Sequence, residues 1–157
     1  MKQNIYEIAR YILIALIVAM VAFVFARSTK PPEKSQEESD EFAEFVEQII
    51  PPDTDAGEYV QKNIRKLAHY TEFFALGVLV AVYACVYTGR MFWKISTLGF
   101  GLVFAALDET IQIFSGRGPS VTDVFIDFLG FATSAVIICT AWHIVWFFIN
   151  KRKQKLT

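Results

Sequence analysis

Four long stretches of almost uninterrupted apolar residues dominate the chain, and polar segments separate them. The stretches cover about residues 5–26, 67–88, 92–114 and 121–149. A helix needs about 20 apolar residues to cross a bilayer, so each stretch is long enough to span one. The pattern therefore predicts an all-α integral membrane protein with four transmembrane helices in a single membrane domain, residues 1–157.

The first stretch also shares features with a secretory signal peptide. Lys2 and Arg10 lie near its start, and Val24-Phe25-Ala26 resembles a cleavage site. However, the apolar run from Tyr11 to Ala26 is unbroken. Together with Ile5 to Ala9 it is long enough to remain in the bilayer. We therefore favour a retained transmembrane helix.

The polar segment 27–66 between the first two stretches is acidic, mainly over residues 33–58. Ser35-Gln36-Glu37-Glu38 matches a capping box, in which Ser and a Glu three residues later satisfy the start of a helix. Apolar residues follow at helical spacing as Phe42, Phe45, Val46, Ile49 and Ile50. The spacing predicts a short extracellular amphipathic helix between the first two membrane helices. Its acidic polar face is unsuited to an anionic lipid surface, so we favour a lid packed on the protein itself.

The distribution of charge predicts the orientation in the membrane. The chain has 157 residues, 54% of them hydrophobic, and its 15 Lys and Arg nearly balance 16 Asp and Glu. Basic residues nevertheless collect at one set of helix ends, as Lys2, Arg10, Arg90, Lys94, Lys151, Arg152, Lys153 and Lys155. By the positive-inside rule both termini are cytoplasmic. Nothing in the composition indicates a nucleic-acid partner, and two cysteines make no disulfide framework or zinc-binding spacing.

Polar residues inside the apolar stretches are the main functional signal. Ionisable groups in a membrane helix are costly, and they usually mark an ion or substrate pathway, a binding site, or an ion pair that joins two helices. They lie at the outer ends of the last three stretches, as Lys66, His69, Glu72, Asp108, Glu109, Gln112, Asp123 and Asp127, with Arg117 in the turn between the last two stretches. Spacings of three and four residues place each set on roughly one helix face. Topology and depth together predict a single outward-facing polar site.

The residue types suggest two groups of roles in this site. The groups expected to carry chemistry are His69, Glu72, Asp108, Glu109 and Asp127. The groups expected to bind substrate are Lys66, Gln112, Arg117 and Asp123, since the fork of Arg117 suits a phosphate or a carboxylate. The carboxylates permit proton transfer or hold a divalent metal, and the sequence does not separate these two uses.

Structural roles remain open for several of the same residues. Ser120-Val121-Thr122-Asp123 matches a capping box, so Asp123 is equally suited to capping a helix. Arg117 can fix its turn by pairing with Asp108, Glu109 or Asp127. Gln112 can join two helices by hydrogen bonds.

The order and spacing of these residues resemble the VanZ-like family, small bacterial membrane proteins named for one linked to teicoplanin resistance. The resemblance covers about Arg65 to Val136. The segments that carry it are Lys66-Leu67-Ala68-His69-Tyr70-Thr71-Glu72-Phe73, Asp108-Glu109-Thr110-Ile111-Gln112-Ile113-Phe114 and Arg117-Gly118-Pro119-Ser120-Val121-Thr122-Asp123-Val124, then Asp127 and Gly130. The chain departs from the family pattern at Asp127, where Asn is usual, and at Glu72-Phe73. The resemblance implies a role in the cell envelope and tolerance of glycopeptides such as teicoplanin.

Two classes of function fit these observations. The first is an enzyme of the outer leaflet acting on a membrane lipid or a lipid-linked cell-wall intermediate, with His69 or an acid as general base and Lys66 and Arg117 holding the anion. The second is a non-catalytic protein that binds or transports an envelope ligand or drug. Four helices are few for an alternating-access carrier, so the transport version requires a homo-oligomer. Neither a nucleophile elbow nor a zinc-protease motif is present in the sequence.

Overall fold

A computed structural model of the protein describes residues 2–88, 91–118 and 120–154. The described part is helical, with α1 Lys2–Ser28, α2 Pro32–Glu47, α3 Asp55–Lys62, α4 Ile64–Tyr83, α5 Met91–Phe114 and α6 Val121–Gln154. A π-helical turn, Ala84–Thr88, extends α4. The family motif's Pro119 lies outside the described residues, and so does the basic Arg90.

Four of these helices, α1, α4 with its π-helical turn, α5 and α6, are long and apolar enough to cross a membrane. The predicted fold class is confirmed. Large apolar side chains such as Phe100, Leu129 and Trp146 remain exposed on the outside of the bundle, where lipid would cover them. The core lies between the helices and includes Phe73 and Phe131, neither of which is exposed.

The polar insert forms two helices, α2 and α3, and α2 is the amphipathic helix that the sequence predicted after Ser35. The predicted capping box at Ser35 is wrong, because the N-cap of α2 is Pro31, four residues earlier, and the helix begins at Pro32. Proline suits the first position of a helix, where its missing N–H has no intrahelical acceptor. The helix buries Ser35, Ser39 and Val46 and contacts α4. It therefore packs on its own protein, over the end of the bundle.

Gly130 allows α4 and α6, the most closely associated pair of helices, to approach each other at backbone distance. A Cβ atom at this position would lie 2.3 Å from the carbonyl oxygen of Tyr70. Small residues at helix crossings permit such close packing in membranes. The crossing is adjacent in sequence to both His69 and Asp127, so it sets the separation of these two side chains.

We predict that Gly130→Ala forces α4 and α6 apart and lowers the Tm of the purified protein by several degrees. The matched control is Gly99→Ala, since a Cβ atom there meets nothing within 4 Å and alanine is the better helix former. Thermal melting in detergent measures both variants. Equal Tm values for the two would contradict the close-packing role of Gly130.

Candidate functional site

The polar residues of the membrane helices gather at one end of the bundle, where α1 and α5 end and α4 and α6 begin. Five of them are buried, with 8% exposure or less: Asp108, Glu109, Gln112, Arg117 and Asp127. The side chains of Glu72 and His69 are only 11% and 12% exposed. A membrane protein thus carries a buried ionisable cluster at the end covered by α2.

Gln112 connects two guanidinium groups to one carboxylate. Its Nε2 donates a hydrogen bond to Asp108 Oδ2 at 2.7 Å. Its Oε1 accepts one from Arg117 Nη1 at 3.1 Å and a longer one from Arg65 Nη2 at 3.5 Å. Arg117 Nη2 also donates to the backbone carbonyl of Lys30 at 3.1 Å. Among the described residues, Arg117 therefore pairs with an amide and a carbonyl instead of Asp108, Glu109 or Asp127.

The turn after α5 directs Arg117 back over the end of that helix. Gly116 has a φ of +85°, and its N–H donates to the carbonyl of Ile113 at 3.2 Å. The next N–H, that of Arg117, donates to the carbonyl of Gln112 at 3.2 Å. These two bonds form a Schellman motif, which commonly ends helices at a glycine. Burial, and then the like charge of Arg65, lower the pKa of the Arg117 guanidinium from its ordinary value.

Glu109 contributes to the start of α6. Its Oε1 accepts a hydrogen bond from the backbone N–H of Ser120 at 2.5 Å. Ser120 Oγ in turn accepts from the N–H of Asp123 at 3.2 Å. The predicted capping box is therefore half correct, because Ser120 caps the helix while Glu109 takes the place expected for the side chain of Asp123. This leaves the partly exposed carboxylate of Asp123 available to other partners.

The end of α1 supplies two side chains that the sequence did not assign to the site. Ser28 Oγ donates a hydrogen bond to Asp108 Oδ1. Arg27 forms ion pairs with Glu72 and, at 3.0 Å, with Glu38 of α2. Glu38 also accepts from Lys30 Nζ. Partial burial alone would raise the pKa of Glu38, but the hydrogen bond from Lys30 and the charge of Arg27 outweigh it and hold that pKa below its usual value.

His69 and Asp127 face each other across the α4–α6 crossing. Their closest atoms, His69 Nδ1 and Asp127 Oδ1, are 3.6 Å apart. Asp127 has no exposed surface, and both of its oxygens lack a hydrogen-bond partner. His69 Nδ1 is also buried without a partner. Unpaired buried groups of this kind are costly and rare, which makes these atoms candidates for contact with a ligand or a bound water.

A small cavity opens among these groups beneath α2. Its volume is about 10 Å³, which is room for about one water molecule. The wall is formed by Arg27, Ser28, Ser35, Ser39, Ala68, His69, Glu72 and Arg117. Because α2 contributes two of these residues, any larger ligand requires this helix to move.

The sequence-based choice of Lys66 is not supported by the geometry. Lys66 is exposed, and it makes no hydrogen bond or ion pair in the part of the chain that the structure describes. Arg65 takes its place beside Gln112. Arg65, His69 and Glu72 are spaced by four and then three residues, which places all three on one helix face. Lys66 is rotated by about 100° around the helix axis from Arg65. Helical periodicity was the signal that would have identified Arg65.

Comparison with protein families identifies the family to which the chain is similar. The chain matches the family model described as VanZ/LLP1 over residues 13–146. The matched range begins within α1 and includes the polar insert, so it extends well beyond the resemblance found at Arg65 to Val136. No curated protein and no solved structure matches the chain.

Proposed function

The chain belongs to the VanZ/LLP1 family, and from this membership and the buried cluster we propose that it acts on an anionic headgroup, lipid-linked or part of the cell wall, at the outer leaflet. Action on such a headgroup would lower the sensitivity of the cell to glycopeptides such as teicoplanin. The catalytic candidates are His69, Glu72, Asp108 and Asp127, and the anion-binding candidates are Arg65, Gln112 and Arg117.

The observation that carries this proposal is the pair of incompletely satisfied guanidinium groups. Arg65 and Arg117 both point at the same oxygen, Gln112 Oε1, and the buried Nε of each has no hydrogen-bond partner. An anionic ligand would satisfy the two unpaired Nε groups and reduce the repulsion between the two like charges. A phosphate offers several acceptors to two guanidinium forks, and the nearby N-termini of α4 and α6 favour negative charge as well.

Entry of a headgroup requires α2 to open, since the cavity beneath it holds about one water. The ion pairs of Glu38 with Arg27 and Lys30 hold this helix closed. A phosphate-bearing ligand that enters beneath α2 would meet Arg27, which lines the cavity, and would compete with Glu38 for it. In this account the acidic insert is a lid that an anionic ligand displaces.

The chemistry is tested by turnover. Purified protein is incubated with labelled lipid-linked cell-wall precursor, with and without added divalent metal, and products are separated. A product that forms with the natural chain but not with His69→Ala supports the assignment of the protein as an enzyme. Binding without any product assigns the second candidate function, a protein that binds the ligand and withholds it from the drug, which the nearly closed cavity also permits.

The effect on the cell is tested by expression in a teicoplanin-sensitive bacterium. We expect the inhibitory concentration of teicoplanin to rise with the natural chain and to return to the background with Arg117→Ala. The exposed Lys62→Ala, which removes a cation from α3 outside the cluster, is the matched control and should behave as the natural chain does. No rise with the natural chain would contradict the proposed tolerance.

The orientation is tested with single cysteines in a chain whose Cys85 and Cys139 are replaced by alanine. A cysteine at Glu37, exposed on α2, should react with an impermeant thiol reagent on intact cells. One at Asn4, exposed near the start of α1, should react only after lysis. Ser39 is unsuitable because it is buried against the bundle. Labelling of Asn4 but not Glu37 on intact cells would place the cluster on the cytoplasmic side.

A further inference from the structure

Three ligand-type side chains from three different helices converge at the centre of the cluster. One ligand atom from each of His69 on α4, Asp108 on α5 and Asp127 on α6 lies within 4.8 Å of the other two. The His69 Nδ1 to Asp127 Oδ1 distance of 3.6 Å is close to the roughly 3.4 Å that separates two ligands about 2.1 Å from a tetrahedral metal ion.

The unpartnered atoms are the independent evidence for a ligand at this point. Both oxygens of the fully buried Asp127 and the Nδ1 of His69 have no hydrogen-bond partner. Protonation of Asp127 would remove its charge but not supply the missing bonds, because His69 Nδ1 at 3.6 Å is beyond hydrogen-bond length. A cation placed between these atoms satisfies all of them at once.

The nearby arginines do not fill this role. Arg27 pairs with Glu72 and Glu38, and Arg65 and Arg117 donate to Gln112. None forms an ion pair with Asp127 among the described residues. Asp127 therefore has no arginine partner at the point where the three ligand-type side chains meet.

The surroundings of Asp108 resemble the outer shell of a metal site. Ser28 donates a hydrogen bond to its Oδ1 and Gln112 donates to its Oδ2. Each carboxylate oxygen retains a second lone pair for a metal, and outer hydrogen bonds of this kind fix the orientation of ligating carboxylates.

We propose that His69, Asp108 and Asp127 bind one divalent metal cation, Zn²⁺ or Mn²⁺, within the helix bundle at the end that α2 covers. One imidazole nitrogen with carboxylate oxygens is a ligand set that both ions accept. Three protein ligands leave a coordination position for a water or for an anionic oxygen. His69 also lines the cavity beneath α2, and Arg117 of the proposed headgroup site lines the same cavity. The inference deepens the proposed function, but the ion binds without the headgroup.

The test uses the full chain in detergent, stripped with a chelator and then titrated with Zn²⁺ or Mn²⁺ alone. We expect about one ion per chain by elemental analysis after desalting, and a Tm that rises with metal. Loss of a side chain that only hydrogen-bonds to a metal ligand reduces metal affinity by roughly 10–100-fold. His69→Ala and Asp127→Asn should each reduce the affinity for the metal by more than this. For Gln112→Ala, the loss of metal affinity should lie within that smaller range. Glu37→Gln, an exposed acid on α2, is the control and should bind as the natural chain does.

Folding of the variants does not obscure the result. Asp127→Asn removes a buried unpartnered carboxylate, so without metal its Tm should equal or exceed that of the natural chain. The proposal is overturned if the natural chain binds less than one metal ion per chain. It is also overturned if Asp127→Asn binds the metal with the same affinity as the natural chain. Because no headgroup is present, a failure here leaves the arginine site untouched. Headgroup binding that fails while metal binding holds would instead refute the proposed function alone.

Discussion

Replacing Arg27 with alanine should destabilise this protein more than any other single change on α1. The guanidinium pairs with Glu72 inside the cluster and with Glu38 on α2, and its side chain is 24% exposed. Removing it strands the carboxylate of Glu72 and leaves Glu38 paired with Lys30 alone, which weakens the attachment of α2. Breaking a fully buried pair costs about 3–5 kcal/mol, and the partial exposure of these groups reduces our expectation to about 2–3 kcal/mol.

A double-mutant cycle separates this pairing from general damage. Arg27→Ala combined with Glu72→Gln should recover part of the lost stability, because the stranded charge is gone. Arg10→Ala is the matched control, since its contact with Glu7 is 3.8 Å long and about half exposed, and we expect no measurable loss. Thermal melting is recorded for the natural chain, for Arg27→Ala, Glu72→Gln and the double variant, and for the Arg10→Ala control. An absence of recovery in the double variant would show that Arg27 acts by some contact other than Glu72.

His69→Ala should abolish function without unfolding the protein. His69 makes no hydrogen bond through its buried Nδ1, so its loss leaves few native contacts broken. Removal of a general base or of a metal ligand nevertheless lowers turnover by about 10²–10⁴-fold. The measurements are precursor turnover and teicoplanin tolerance, with Tm recorded for each variant.

The second histidine of the chain provides the control. His143 lies near the opposite end of the bundle, exposed and stacked on Trp146. His143→Ala should retain both activities. If instead His69→Ala and Glu72→Gln both fail to give folded protein, the cluster is an interhelical lock and the assignment of chemistry to His69 is wrong.

The sequence predicted those features that local rules determine. Apolar runs identified four membrane helices, and the depth of each polar residue along its helix placed Asp108 and Asp127 at the same end. The start of α2 was misplaced because a Ser-x-x-Glu pattern competes with the proline at Pro32, and the proline governs the first turn.

Contacts between distant segments could not be predicted in this way. Ser28 reaches Asp108 across 80 residues and Arg27 reaches Glu72 across 45. Nothing in a single sequence marks such a pair, and Arg27 resembles any basic residue at a helix end. Arg65 differs, because helical periodicity places it on the same face as His69. Lys66 was chosen instead because it lies three residues before His69.

The most direct test of the account is binding of a polyprenyl diphosphate, as a phosphate-bearing lipid probe, to the full chain in nanodiscs of neutral lipid. The account predicts that the natural chain and Lys62→Ala bind it equally. Arg117→Lys keeps the charge but loses the fork, so its affinity should fall by about tenfold or more while its Tm holds. Equal binding by all three proteins, or equal binding of the uncharged polyprenol, would contradict recognition of an anionic headgroup by this cluster.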